Sequence, residues 1–218
     1  MLGLALFATA CSGDDDNSGQ RGLGGAQPAP TLPGQAVDGF APGVDDRVAI
    51  IGVASGETLS MRVLPGEGQA VVAEIPATAD ELFGFGQAFE TPDGQLWWLV
   101  RFGDAQGWIQ PGAAYLGAAD DISVTVSGRL ERTSYESMDA LVAEVQGQFE
   151  GSVLVGTSDA ADGDELTATI DALVSGDDSV AGERVVITAA AEDDGYRLTA
   201  AQRIPLCARG VDDSGTCQ

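Results

Sequence analysis

Histidine and lysine are both absent from this 218-residue chain. Without histidine, the commonest general base and the commonest metal ligand are missing. No serine or cysteine can then be activated by an imidazole, which removes the familiar nucleophilic triads. Ten arginines are the only basic side chains, set against 34 acidic ones. The resulting net charge of −24 repels nucleic acid and anionic membrane surfaces. There is no glycine-rich phosphate loop and no CxxC pair. Carboxylates are plentiful, but no pair is singled out as a glycosidase dyad. Asp14, Asp15 and Asp16 lack the spacing of a calcium-binding loop and read as a solvated charge run. No catalytic residue, metal or cofactor is therefore expected, and no nucleic-acid partner.

The longest apolar run, MLGLALFATA, is too short to span a bilayer. It ends in small residues immediately before Cys11. That ending resembles the lipobox of a bacterial lipoprotein signal peptide, where a peptidase needs room beside the cysteine it exposes for lipidation. Ala8 stands where leucine is usual, and no basic residue precedes the run. The resemblance implies a signal peptide at 1–10, a lipid on Cys11, and an extracytoplasmic, membrane-anchored location. Residues 11–43 follow as a tether rich in Gly, Pro, Asp and Ser, with too little apolar surface to offset chain entropy.

Residues 44–118 read as short β-rich runs between glycine turns. Val48, Ile50 and Val53 lead in; Leu59, Met61 and Val63 alternate at period two; Val71 and Val72 begin another run. Leu64-Pro65-Gly66 turns the chain. Residues 81–89, 96–102 and 107–109 complete five or so strands, enough for a small bent barrel. LSMRVLPG resembles the LNVRSGPG signature of bacterial SH3 domains, and WWLVRFGDAQGWIQPGAAYLG resembles that family's closing pattern. Leu64 and the longer AFETPDGQ loop depart from it. The resemblance implies an SH3-like barrel, closed at the bottom by Tyr115 and Leu116, that binds cell-wall peptidoglycan or an envelope protein. Ligand contacts would come from Trp97 and Trp108, with Arg62, Phe83 and Phe85 alongside.

All three tryptophans fall within this closing pattern. On a strand, Leu96, Trp98, Val100 and Phe102 share one face; Trp97, Leu99 and Arg101 share the other. One small barrel has one interior, so one indole must leave it. Trp98 is assigned to the core with Val100, and the Trp97 side is the other candidate. The outward indole is then either a ligand contact or covered by the second domain.

Residues 119–218 change texture. Ile122, Val124 and Val126 alternate as in a strand. Thr133 with Glu136 forms a capping-box pattern. Tyr135, Met138, Leu141, Val142, Val145 and Phe149 recur at helical spacing, predicting a helix over 134–149 that Gly151 ends. Four strand-like runs follow, at 153–156, 166–174, 183–192 and 196–204, the last two flanking an Asp193-Asp194-Gly195 turn. One helix on an antiparallel sheet predicts an α+β domain. SGDDSVAGER and LCARGVDDSGTC resemble segments of secreted actinobacterial domains of unknown function. Asp177 and Asp178 read as turn acceptors rather than cation ligands. With Cys11 lipidated, Cys207 and Cys217 remain as an even pair, which in an exported chain reads as a disulfide.

The expected protein is thus a non-catalytic, lipid-anchored envelope protein that binds peptidoglycan through an SH3-like barrel, followed by an α+β domain. The alternative is a protein-interaction or assembly factor whose recognition lies in the C-terminal domain.

Overall fold

The computed structural model describes residues 32–38, 41–159, 165–174, 179–193 and 195–218. Cys11, the tether's first part and the Asp177–Asp178 pair lie outside them. Leu32–Gln218 forms one compact unit.

The β-rich runs fold as strands, and most boundaries fall where glycine or proline interrupts them. In chain order they are β1 (Gln35–Val37), β2 (Val44–Ile50), β3 (Thr58–Arg62), β4 (Val71–Pro76), β5 (Leu82–Glu90), β6 (Leu96–Phe102), β7 (Ala105–Ile109), β8 (Ala113–Leu116) and β9 (Asp120–Asp121). Helices α1 (Ser123–Ser127) and α2 (Met138–Gln146) come next, then β10 (Val153–Asp159), β11 (Glu165–Leu173), β12 (Val180–Glu192) and β13 (Gly195–Cys207).

The expectation of an SH3-like barrel followed by an α+β domain is not met. Of the described residues 53% are strand and only 8% helix, so the protein is nearly all-β. The strands make one curled antiparallel half-barrel, in the order β10-β11-β12-β13-β8-β2-β5-β6-β7-β3-β4. The reason lies in β8. Tyr115 and Leu116 were expected to close a barrel. Instead β8 pairs with β2 through Ala49–Ala114 on one side, and with β13 through Tyr115–Cys207 and Leu206–Leu116 on the other. A strand bonded on both edges passes the ladder onward rather than ending it.

The helical content is also smaller than the periodicity suggested. The segment expected as a strand from Ile122 to Val126 instead enters the short helix α1, with Ile122 as its N-cap; only Val126 of that helix is buried. The longer helix begins four residues later than expected. Ser137, not Thr133, is its N-cap, accepting a hydrogen bond from the Ala140 amide at 3.2 Å. Tyr135, counted as helical from its spacing, instead makes a two-way backbone bridge to Tyr196. Gly195 permits that approach: at φ 137° it follows the tight turn after Glu192, and a Cβ there would collide with the Tyr135 carbonyl.

Two cores result. In the C-terminal half, Met138, Leu141, Val142 and Val145 of α2 pack on Ala168, Ile170, Val185, Ile187 and Ala201 of the sheet. In the N-terminal half, Val48, Ile50, Met61, Ile75, Leu82, Trp98, Val100 and Ile109 form the larger cluster.

The halves meet where a buried ion pair of the C-terminal sheet bonds to the backbone at Ile50 and Gly52. Asp171 on β11 and Arg184 on β12 are register partners, on the sheet face turned away from α2. The Arg184 guanidinium donates to Asp171 at 2.7 and 3.0 Å and to the Ile50 carbonyl at 2.6 Å. Asp171 also accepts from the Gly52 amide at 3.1 Å. Both side chains are essentially without solvent contact, at 0% and 6% exposure, so each needs every one of these partners. A backbone bond from Ser55 to Leu154 adds a second tie.

Candidate functional site

The tryptophan pattern resolves into two layers. Trp98 and Val100 lie in the main N-terminal core, as the strand alternation indicated. Trp97 and Leu99 point to the opposite face and, with Trp108, make a separate cluster against Leu32, Phe85 and Phe89. Cross-strand register builds it: Phe89 opposes Trp97, and Leu99 opposes Trp108. Phe89 meets Trp108 edge-on at 5.7 Å between ring centres.

The indole that leaves the main core is therefore not outward-facing. Trp97 is 1% exposed and Trp108 4%. Their cover comes from the N-terminal half itself. Strand β5 shifts register between Gly84 and Ala88, with Gly86 at φ 64°. This irregularity lies between Phe85 and Phe89, both of which pack on the aromatic cluster. Strand β1 pairs with the same far half of β5 and brings Leu32 onto the cluster.

The other expected contact residues are spread around this layer. Phe85 is part of the cover. Phe83 sits opposite Arg101, whose guanidinium lies 4.4 Å from its ring centre. Arg62 opposes Trp108 and donates to the Gln69 carbonyl at 2.7 Å.

Trp97 and Arg62 do share a recess. It has a volume of about 310 Å³ and is lined by Leu59, Ser60, Arg62, Glu67, Trp97 and Gln110. The Gln110 amide reaches Gln95 at 3.2 Å and Glu67 at 3.4 Å. The recess thus holds a guanidinium, a carboxylate, a primary amide and a hydroxyl beside the edge of a buried indole. The Trp97 indole N–H has no partner among the described residues. Glu67 and Gln110 escaped sequence reasoning, since each looks like an ordinary surface polar residue. The pairing of β3 with β7 puts Gln110 beside Arg62, and the loop from β3 to β4 brings Glu67.

A larger cleft, about 710 Å³, opens between the two halves. Trp98, Leu59, Leu96, Val53, Tyr115, Leu173 and Arg209 are among its lining residues. Tyr115 is held in its wall by a hydrogen bond to Asp46 at 2.8 Å, and it accepts the Gly43 amide at 3.2 Å. Partial burial, and next the Asp46 carboxylate, push the Tyr115 phenol up to about 12. Asp46 reaches it because β2 shifts register between Val44 and Arg47, with Asp45 at φ 62°.

Cys207 and Cys217 form the expected disulfide, with Cα atoms 5.1 Å apart. Among the described residues, no helix is long and apolar enough to cross a membrane. No three acidic or cysteine side chains among them are grouped to hold a metal ion. No family model, no curated protein and no solved structure matches the chain.

Proposed function

We propose that this chain is an exported envelope protein, anchored by a lipid on Cys11, that binds cell-wall peptidoglycan and does no chemistry on it. The observation that supports this reading is the polar recess beside Trp97. Peptide stems of the wall carry amino, amide and carboxyl groups. The recess offers Glu67 to an amino group, Arg62 to a carboxylate, and Gln110 and Ser60 to amides. The binding mode differs from the one first expected. An indole that is 1% exposed cannot lie flat on a sugar ring, so Trp97 supports the recess floor and the polar groups around it make the contacts. The net charge of −24 disfavours anionic wall polymers and tolerates the amino groups of the stems. The Cys207–Cys217 disulfide is compatible with export.

The test is co-sedimentation of the full chain with purified, polymer-stripped wall. Glu67→Ala with Gln110→Ala should cut the bound fraction at least fivefold with an unchanged melting temperature, because Glu67 is exposed and Gln110 only half-buried. Undiminished sedimentation of that double variant would remove the recess as the site. Metabolic labelling with a radioactive fatty acid tests the anchor: Cys11→Ser should lose the label, and equal labelling would exclude lipidation there.

A further inference from the structure

Two opposite charges line the recess beside Trp97 without neutralising each other. Among the described residues the ion pairs are made by Arg47, Arg184, Arg197 and Arg203. Arg62 is in none of them, although Glu67 lines the same recess. Carboxylates are not scarce in this chain, which has 34 acidic residues against ten arginines. The separation of Arg62 from Glu67 is therefore a matter of geometry rather than composition.

One loop sets that geometry. Arg62 ends β3, and its guanidinium donates to the Gln69 carbonyl at 2.7 Å. The loop between is closed by the Val63 amide on the Ala70 carbonyl at 2.9 Å and by the Gln69 amide on the Gly66 carbonyl at 3.1 Å. Glu67 follows directly after Gly66, whose φ of 125° suits glycine. The Gln110 amide reaches the Glu67 carboxylate at 3.4 Å and is itself tied to Gln95 at 3.2 Å. A guanidinium has five N–H donors, so Arg62 keeps donors beyond the one spent on Gln69.

These charges constrain the ligand. An ammonium alone suits Glu67 but sets Arg62 against a neutral or like-charged group; a carboxylate alone has the reverse defect. A ligand bearing both charges satisfies both residues. The volume of about 310 Å³ is at the small end for such sites, with room for one end of a peptide rather than a glycan strand. A peptide cross-link turns the amino group of a stem into an amide, and amidation of the carboxyl group removes the negative charge. Only an unlinked, unamidated stem end carries both.

We propose that the recess selects un-cross-linked stem ends, with the ammonium against Glu67 and the carboxylate against Arg62. This rests on the wall-binding reading above and names the state of the wall that is bound.

The test is calorimetric titration of the full chain with an N-acetylated tripeptide ending in lysine, which carries one ammonium and one carboxylate on its last residue. Acetylating the lysine amine, or amidating the carboxyl group, should each weaken binding at least tenfold. Glu67→Gln should weaken the unmodified peptide at least fivefold and leave the amine-acetylated one unchanged. Arg62→Gln should weaken the unmodified peptide and leave the amidated one unchanged, a dependence that mere loosening of the loop would not produce. Acetylating the amines of the purified wall should likewise abolish its co-sedimentation. Equal affinity for all three peptides, no binding to any of them, or undiminished sedimentation with acetylated wall would each overturn the selection. If native wall still sediments and Glu67→Ala with Gln110→Ala still reduces it, the wall-binding reading stands without the selection.

Discussion

Trp97 and Trp98 are neighbours that serve two different layers, and both are buried. Replacing either with alanine removes a large ring from a packed cluster, so each change should lower stability by about 3–5 kcal/mol. Chemical denaturation of the two variants reads this. A Trp97→Ala protein as stable as the wild type would mean that the second layer contributes nothing. Tyr115 makes a different prediction. Its folded-state pKa of about 12 lies above its ordinary value of 10.0. The folded protein therefore favours the protonated phenol, and the stability this gives is fully present below pH 10.0 and lost as pH rises toward about 12. Tyr115→Phe should flatten stability across that alkaline window. A variant that loses stability there as steeply as the wild type would place the effect elsewhere.

At the scale of elements, α2 shows how local signals compete. The Thr133–Glu136 pattern fits a capping box, yet the chain at Tyr135 is extended and bridged to Tyr196. The backbone bridge ties this segment to the sheet, and helix formation waits until Ser137. Ser137→Ala should cost about 1 kcal/mol, the usual value of an N-cap, and Thr133→Ala should be neutral. Thermal melts of the two decide between the caps. Strand β5 illustrates the converse. Residues 81–89 read simply as a strand, but the irregularity between Gly84 and Ala88 is what allows the aromatic cover over Trp97 and Trp108.

Over the whole described unit, stability and cooperativity depend on the joint. Asp171 is satisfied by Arg184 and the Gly52 amide, and Arg184 by Asp171 and the Ile50 carbonyl. Asp171→Ala leaves a guanidinium buried without its counter-charge, which should destabilise by about 3–5 kcal/mol. It should also split a single unfolding transition into two, since Asp171 accepts the Gly52 amide of the N-terminal half and holds Arg184 against the Ile50 carbonyl. Calorimetry on the variant would show this; one unshifted transition would mean that the β8–β13 ladder and the Ser55–Leu154 bond suffice to couple them. The disulfide acts on a smaller scale. Cys207 and Cys217 are 10 residues apart, and replacing both with serine should lower stability by about 2–3 kcal/mol through the loop-entropy term. Denaturant midpoints measured in the absence of reductant check that figure.

Much was legible before any coordinates. The period-two runs located β3 and β6, and alternation sorted Trp98 from Trp97, because side chains on a strand must take opposite faces. The helical stripe from Met138 to Val145 marked α2, and the even cysteine remainder named its pair. These are local properties, settled by covalent geometry and by where apolar side chains fall. What local pattern could not settle was whether β8 closes a barrel or carries the ladder into the C-terminal strands, since a short apolar strand bonds equally well on either edge. Nor could it show that Phe85, Phe89 and Leu32 cover the second aromatic layer. That Asp171, an acid between apolar neighbours, would find Arg184 and the Gly52 amide was equally out of reach. The recess and the cleft are likewise made of residues far apart in sequence. Their meeting is set by strand order and register, which only the free energy of the assembled sheet selects.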